Sequence, residues 1–222
     1  MEKNIVVAIL TCNRPKHCDH LLNNLETQSK EISGIALVDS GNKHPKSVYS
    51  NDISYIKSQQ NLGGAGGFSY AILSSLAQGA EWVWIMDDDA YPVEEHCLEE
   101  LLAAAQERSL DVIYPIHVSP EDHSKLAFPF RASGKICYER QKVEALEFIP
   151  NIAQFFNGAL VHRSVFFKIG LPDLRLFIRG DEVDFLVRLR RAGIPFGTLT
   201  SVAVAHPPGW AEVVPIIKDR IA

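Results

Sequence analysis

Between residues 82 and 89 the chain passes from Trp82-Val83-Trp84-Ile85-Met86 straight into Asp87-Asp88-Asp89. A continuous apolar run that ends at once in charge marks a strand buried on both faces, and such strands belong to parallel sheets covered by helices. In open sheets of this kind ligands gather beyond the carboxyl ends of the strands. Three adjacent carboxylates repel one another. Two readings fit the triplet alone: a solvated turn, or a divalent cation among the acids. Mg²⁺ and Mn²⁺ favour carboxylate oxygens and often complete their shells with substrate phosphate. Residues 87 and 89 point to one side in extended backbone, so Asp87 and Asp89 are expected to serve one ion.

The same alternation of strand and helix signals runs through the first half. Ile5–Leu10 is an apolar, β-branched run. It is too short, and its charged flank too thin, for a secretory leader, so a first strand is expected there. Pro15 suits a first helical turn, with Leu21, Leu22 and Leu25 on one side. Ile35–Val38 reads as a second strand ending at Asp39, and Ser54–Lys57 as a third. Asn61 to Gly67 reads as a glycine-rich turn before a helix carrying Phe68, Ala71, Ile72 and Leu76. Glu94 and Glu95 suit the start of a helix with Leu98, Leu101, Leu102 and Ala105 on its apolar face. Asp111–Ile116 is a further strand. This order implies an α/β fold, a mainly parallel central sheet flanked by helices.

The second half is less regular. Residues 117–150 are polar and are expected to form loops or a small hairpin. Phe155–His162 reads as a strand, 181–192 as a helix with Phe185, Leu186 and Leu189 inward, and Phe196–Ala205 as a strand ending at His206. One domain over 1–222 is expected, with a nucleotide-binding half, 1–116, and an acceptor-side half, 117–222.

With 222 residues, 46% of them hydrophobic, the chain can bury a core without disulfide staples. Its net charge of −5 argues against nucleic-acid binding by a cationic surface. Cys12, Cys18, Cys97 and Cys137 form no CxxC pair, a pattern of reducing compartments. A cytoplasmic protein, with peripheral membrane contact left open, is the expectation.

Further motifs sit where strands end. The run Asn61-Leu62-Gly63-Gly64-Ala65-Gly66-Gly67-Phe68 opens a helix, whose free N–H groups suit an anion. It lacks the Lys-Ser/Thr of a P-loop and the spacing of a dinucleotide fingerprint. Close packing of helix on sheet is the competing reading of its glycines. Asp181, Glu182 and Asp184 start a helix. Dipole complementation alone explains them, unless Asp181 or Glu182 faces the Asp87–Asp89 cleft, where a carboxylate can act as general base. Asp184 is then a supporting partner, and Arg188 balances the acids. His206 ends the last strand, where a neutral imidazole can reach a metal. Thr11, Asn13 and Arg14 follow strand one, and Asp39 ends strand two.

In this order and over nearly the whole length, these pieces resemble glycosyltransferase family 2, with its A-type (GT-A), Rossmann-like nucleotide-diphospho-sugar transferase fold. The glycine run and the triple Asp are most similar to the galactofuranosyltransferase branch, with rhamnosyltransferases using dTDP-rhamnose as close relatives. The resemblance implies a metal-dependent, inverting transfer from a UDP-sugar to a glycan or lipid-linked acceptor in cell-envelope polysaccharide synthesis. It implies Mn²⁺ or Mg²⁺ on Asp87, Asp89 and His206. It puts Thr11, Asn13, Arg14 and Asp39 in the nucleotide pocket, Asn61, Gly63 and Gly64 beside nucleotide or donor sugar, and Asp88 against donor sugar or ribose. Glu182 stands where the family commonly has an Asp base, with Asp181 as the other candidate. Trp82, Trp84 and Trp210 are candidates for sugar stacking or, for the first two, core. The chain ends soon after His206, where relatives usually continue, which fits either a C-terminally shortened chain or a minimal enzyme. A nucleotidyltransferase is disfavoured because no basic glycine-rich loop follows strand one. A non-catalytic nucleotide-sugar-binding module stays open.

Overall fold

The computed structural model describes residues 4–46, 53–132, 135–154 and 156–208. The elements run β1 (Ile5–Thr11), α1 (Pro15–Glu26), β2 (Gly34–Asp39), β3 (Ile53–Lys57), α2 (Gly63–Ala77), β4 (Trp82–Asp87), β5 (Tyr91–Pro92), α3 (Cys97–Glu107), β6 (Val112–Val118), β7 (Lys125–Ala132), β8 (Lys135–Glu139), α4 (Arg140–Glu144), β9 (Phe148–Pro150), β10 (Ala159–His162), α5 (Arg163–Ile169), α6 (Asp181–Arg191) and β11 (Phe196–Ala205). Among the described residues no helix is long and apolar enough to cross a membrane.

The main sheet has the order β3-β2-β1-β4-β10-β6-β11-β5. β1 to β4 are parallel, as are β6 and β11. The expected α/β sheet is present and is mixed: β10 is reversed between β4 and β6, and β5 and β9 run antiparallel to β11 and β7 to β6. From β1 the chain moves outward to β2 and β3, then returns to β4 on the other side of β1. Strands that depart in opposite directions leave a crevice beyond their carboxyl ends. Thr11 and Asp87, the last residues of β1 and β4, stand at that crevice.

Side chains alternate faces along a strand, so one apolar run feeds two cores. Ile5, Val7 and Ile9 of β1 join Leu21 and Leu22 of α1 and Leu98 and Leu101 of α3. Val6, Ala8 and Leu10 join Phe68 and Ile72 of α2 and Phe185 and Leu189 of α6 on the opposite face. Each large apolar side chain fully buried in this way contributes about 1.5–3 kcal/mol relative to exposure. Trp82 and Trp84 are buried in the first core, and the Trp84 indole donates to the Gly158 carbonyl at 3.0 Å. Both are core residues, not sugar-stacking ones. Trp210 lies outside the described residues.

Three departures from the sequence reading bear on the site. First, α2 begins at Gly63, so the glycines lie inside the helix rather than before it. The reason is close approach: a Cβ at Gly67 would lie 2.3 Å from Leu10, and Gly63 has φ +66°. Second, the strand expected from residue 155 starts at Ala159, because Phe156–Gly158 form a turn with Gly158 at φ +77°. Third, 117–150 holds, beyond the small hairpin expected there (β7–β8), α4 and β9. Leu126, Phe130, Val143 and Ile149 pack there on Ile116, Val118, Ala203 and Ala205.

Candidate active site

β4 ends at Asp87, and the backbone then turns, with the Ala90 amide donating to the Asp87 carbonyl at 3.2 Å. Asp87 and Asp89 are therefore brought together by a turn and not, as extended geometry suggests, by alternation along a strand. His206 arrives from the far side. Its amide continues the β6–β11 ladder by donating to the Val118 carbonyl at 3.0 Å. One ligand atom each from Asp87, Asp89 and His206 lies within 4.8 Å of the others.

The imidazole is oriented for ligation. Its Nδ1 lies 2.6 Å from the Pro207 carbonyl oxygen. A carbonyl only accepts, so Nδ1 carries the hydrogen, and in the neutral ring Nε2 presents a lone pair. That Nε2 is 3.7 Å from Asp89 Oδ1. Two carboxylates and an imidazole lone pair repel unless positive charge lies among them, so this donor set fits a divalent cation. Burial raises Asp87 above the usual carboxylate range, and repulsion from Asp89 and Asp88 adds to it.

Asp88 faces the other way. It is 1% exposed, accepts from the Thr11 hydroxyl at 2.6 Å and pairs with Arg14 Nη2 at 2.6 Å. Burial raises it to about 6 against the opposing pull of Arg14 and Thr11. The other nitrogen of the same guanidinium, Nη1, holds Asp89. Arg14 thus spans two of the three acids. Asn13, at φ +59°, accepts from the amides of Asn42 at 2.7 Å and Lys43 at 3.2 Å and so fastens the loop after β2. Asp39 is fully buried and accepts from Tyr55 at 2.7 Å and the Gly41 amide at 2.7 Å, with His44 Nδ1 at 2.5 Å. Burial alone would raise Asp39, but these bonds and Lys57 outweigh it and leave the group below its ordinary value. Thr11, Asp39 and Asp88 are buried at the strand ends beside the cleft, and Asn13 is exposed on the loop next to them.

That wall encloses a cleft of about 450 Å³ and brings distant predicted residues together: Arg14, Asn61, Gly63, Gly64, Asp87 and Asp89, with Asp181, Glu182 and His206. A second chamber of about 360 Å³ adjoins it, lined by Phe128, Phe156, Asn157 and Val183. Asp87, Arg179, Glu182 and His206 line both chambers. Asp181 lines only the first. Asp181 is 4% exposed, and burial raises it to about 7, with Glu182 adding charge repulsion and a hydrogen bond. Asp184 is held by Arg188 at 2.7 Å, and Arg188 also donates to the Ile169 carbonyl at 2.5 Å. That pair is absent from the residues that line the two chambers.

The sequence reading gave no role to Phe128, Phe156, Asn157 and Arg179, which also line the chambers. The usable signals were faint. Asn157 stands between an aromatic residue and a glycine just before a buried run. Arg179 lies in a segment whose strain is visible only in the backbone, with φ +72° at Arg179 and +53° at Phe177. Left-handed non-glycine residues of this kind cluster at functional sites.

Comparison with known proteins agrees with this geometry. The profile of "Glycosyl transferase family 2" matches residues 6–170. Galactofuranosyltransferase GlfT1 of Mycobacterium tuberculosis is 38% identical over 232 aligned positions, covering 100% of this chain and 76% of that protein. Galactofuranosyltransferase GlfT2 of the same organism is 26% identical, covering 94% of this chain and 38% of that one. Among solved structures, S. aureus TarS 1-349 superposes with TM-score 0.65 at 16% identity, over 92% of this chain and 60% of that one. GalNAc-T7 with UDP, GalNAc and Mn²⁺ superposes with TM-score 0.67 at 15% identity, over 92% of this chain and 43% of that one. The fold is the GT-A fold, and the activity is glycosyl transfer. This chain belongs to glycosyltransferase family 2.

Proposed function

We propose that the chain transfers galactofuranose from UDP-galactofuranose, with inversion, to a hydroxyl of a glycan or lipid-linked acceptor. One observation carries this reading: Glu182 stands on the wall shared by two adjoining chambers, together with Asp87 and His206. A base placed between donor and acceptor is what such a transfer uses, and the position of Glu182 supports this reading. The identity to a galactofuranosyltransferase along the full chain supports the donor.

Asp87, Asp89 and His206 would hold the cation, Mn²⁺ or Mg²⁺, whose charge would stabilise the departing diphosphate. The chain's own residues do the rest. Asn61, Gly63 and Gly64 line the donor chamber. Arg14 offsets the repulsion between Asp88 and Asp89 by pairing with both. Asp181 holds its proton up to about 7 and hydrogen-bonds Glu182, which fixes that carboxylate. Glu182 takes the proton from the acceptor hydroxyl as its oxygen bonds to the anomeric carbon. The bond from that carbon to the diphosphate breaks, and UDP leaves with the electron pair. Attack from the opposite face inverts the centre. Phe128 and Phe156 give the acceptor chamber aromatic faces. Leu174, Phe177, Ile178 and Val183 are exposed along the segment that leads into α6, where Val183 lines this chamber and Ile178 the other, an apolar rim that suits peripheral contact with a membrane bearing the acceptor.

The test offers UDP-galactofuranose, UDP-galactopyranose and dTDP-rhamnose in the presence of Mn²⁺. Turnover of the first is expected. Glu182→Gln should keep donor affinity and lower transfer by about 10²–10⁴-fold. A preference for dTDP-rhamnose would overturn the donor, and full activity in Glu182→Gln would overturn the base. Donor binding without any turnover would favour a binding module instead.

A further inference from the structure

Asn157 reaches the cation site from a strand that runs the wrong way. β10 is antiparallel to β4, with Ala159 opposite Ile85. Its amino end therefore lies at the edge where the parallel strands finish, and Asn157, two residues earlier, meets Asp87. Both ends of its amide are used there. Oδ1 accepts from the Asp87 backbone amide at 2.7 Å, and Nδ2 donates to Asp87 Oδ2 at 3.1 Å. The two bonds close a ring around one residue, and Asp87 Oδ1 takes no part in it.

The other end of Asn157 is tied to the strand pair that carries His206. Its backbone carbonyl lies 2.8 Å from Nε2 of His117 on β6. His117 is fully buried, and burial lowers it to about 3, so the ring is neutral and Nε2–H is the donor. The His117 ring stands edge-on to His206 at 6.4 Å, and Phe128 packs against both, at 5.9 Å and 5.3 Å. Asp87 and His206 come from strands that do not touch. The Asn157–His117 link spans the gap between them.

We infer that Asn157 is a positioning residue for the cation site, fixing the Asp87 carboxylate and, through His117, its separation from His206. The inference rests on the cation reading above. Asn157 lines the acceptor chamber, but its amide is committed to Asp87 at both ends, so it acts through that acid.

Mn²⁺ binding to the full chain, followed by the paramagnetic resonance signal of the free ion, tests this. Wild type, Asp89→Ala, Asn157→Ala and the less disruptive Asn157→Ser are compared. Partners that orient metal ligands typically contribute about 10–100-fold in affinity. Both Asn157 variants should bind Mn²⁺ that much more weakly, and their kcat should return toward wild type at saturating Mn²⁺, which a general folding defect would not allow. Should Asn157→Ala fail to fold, Asn157→Ser carries the same reading. Mn²⁺ affinity within twofold of wild type in the folded variant would overturn the role of Asn157. Wild type binding no better than Asp89→Ala would overturn the cation reading itself.

Discussion

The carbonyl oxygen of Phe177 accepts a hydrogen bond from the Ala65 amide at 3.0 Å. The segment leading into α6 thereby closes the first turn of α2, and the glycine run and the acidic helix become one unit. Gly63 is the hinge of that contact: it sits at φ +66°, and a Cβ there would lie 2.2 Å from the Phe177 oxygen. Gly63→Ala should cost about 1–3 kcal/mol and displace Asp181 and Glu182. At Gly64 the nearest atom to an added Cβ is Asp181 Oδ2 at 3.5 Å, an ordinary contact. Gly64→Ala should fold as well as wild type and lose donor affinity. Denaturant titration with UDP binding separates the two.

Asp181 gives stability a pH dependence of known sign. Its carboxyl is raised to about 7 in the folded chain, against about 3.9 unfolded. The folded state thus binds the proton more tightly, so the stability linked to it is complete below about pH 4 and is lost as pH climbs to about 7. Urea unfolding of the metal-free protein between pH 4 and 8 should show this decline. Asp181→Asn should flatten it in part, because Asp87 and Asp88, raised to about 8 and about 6, add slopes of the same sign. An unchanged profile in Asp181→Asn would contradict the assignment.

A cation that binds only the folded state raises its stability by mass action, by about 2.7 kcal/mol at a hundred times Kd. Mn²⁺ should raise the Tm of wild type and leave Asp89→Ala unmoved, since that variant removes one of the three converging donors. Chelator should reverse the wild-type shift and stop transfer.

The apolar rim predicts a surface effect separable from chemistry. Leu174 and Ile178 are each 64% exposed. The double variant Leu174→Ser, Ile178→Ser should sediment less with anionic lipid vesicles while keeping UDP affinity and Tm. Equal sedimentation would remove the proposed membrane contact.

Much of the sheet was legible because its strands are continuous apolar runs and each carries a turn-forming or charged residue at its end. Ile5–Leu10 and Trp82–Met86 needed no tertiary information. The acids, His206 and the 181–182 pair were legible as types, and their convergence follows from the shared carboxyl edge. Asn157 was not, because nothing local says that β10 is inserted backwards; only its pairing with Ile85 and Trp84 does. The glycines of α2 were misread as a turn because helix propensity is overridden there by contact with Leu10 and Phe177. The partners of Asp39 and Asp88 were not legible either: Asp39 accepts from Tyr55 and Asp88 from Thr11, contacts that only the folded sheet creates.

His206 follows β11, which lies alongside β6 and β5 and is more than 100 residues later in the chain than Asp87 and Asp89. Until that strand docks, the carboxylates of Asp87 and Asp89 have no imidazole beside them. Ion capture by the proposed trio would therefore report docking of β11: a nascent polypeptide on the ribosome that stops short of His206 carries the acids but not the imidazole.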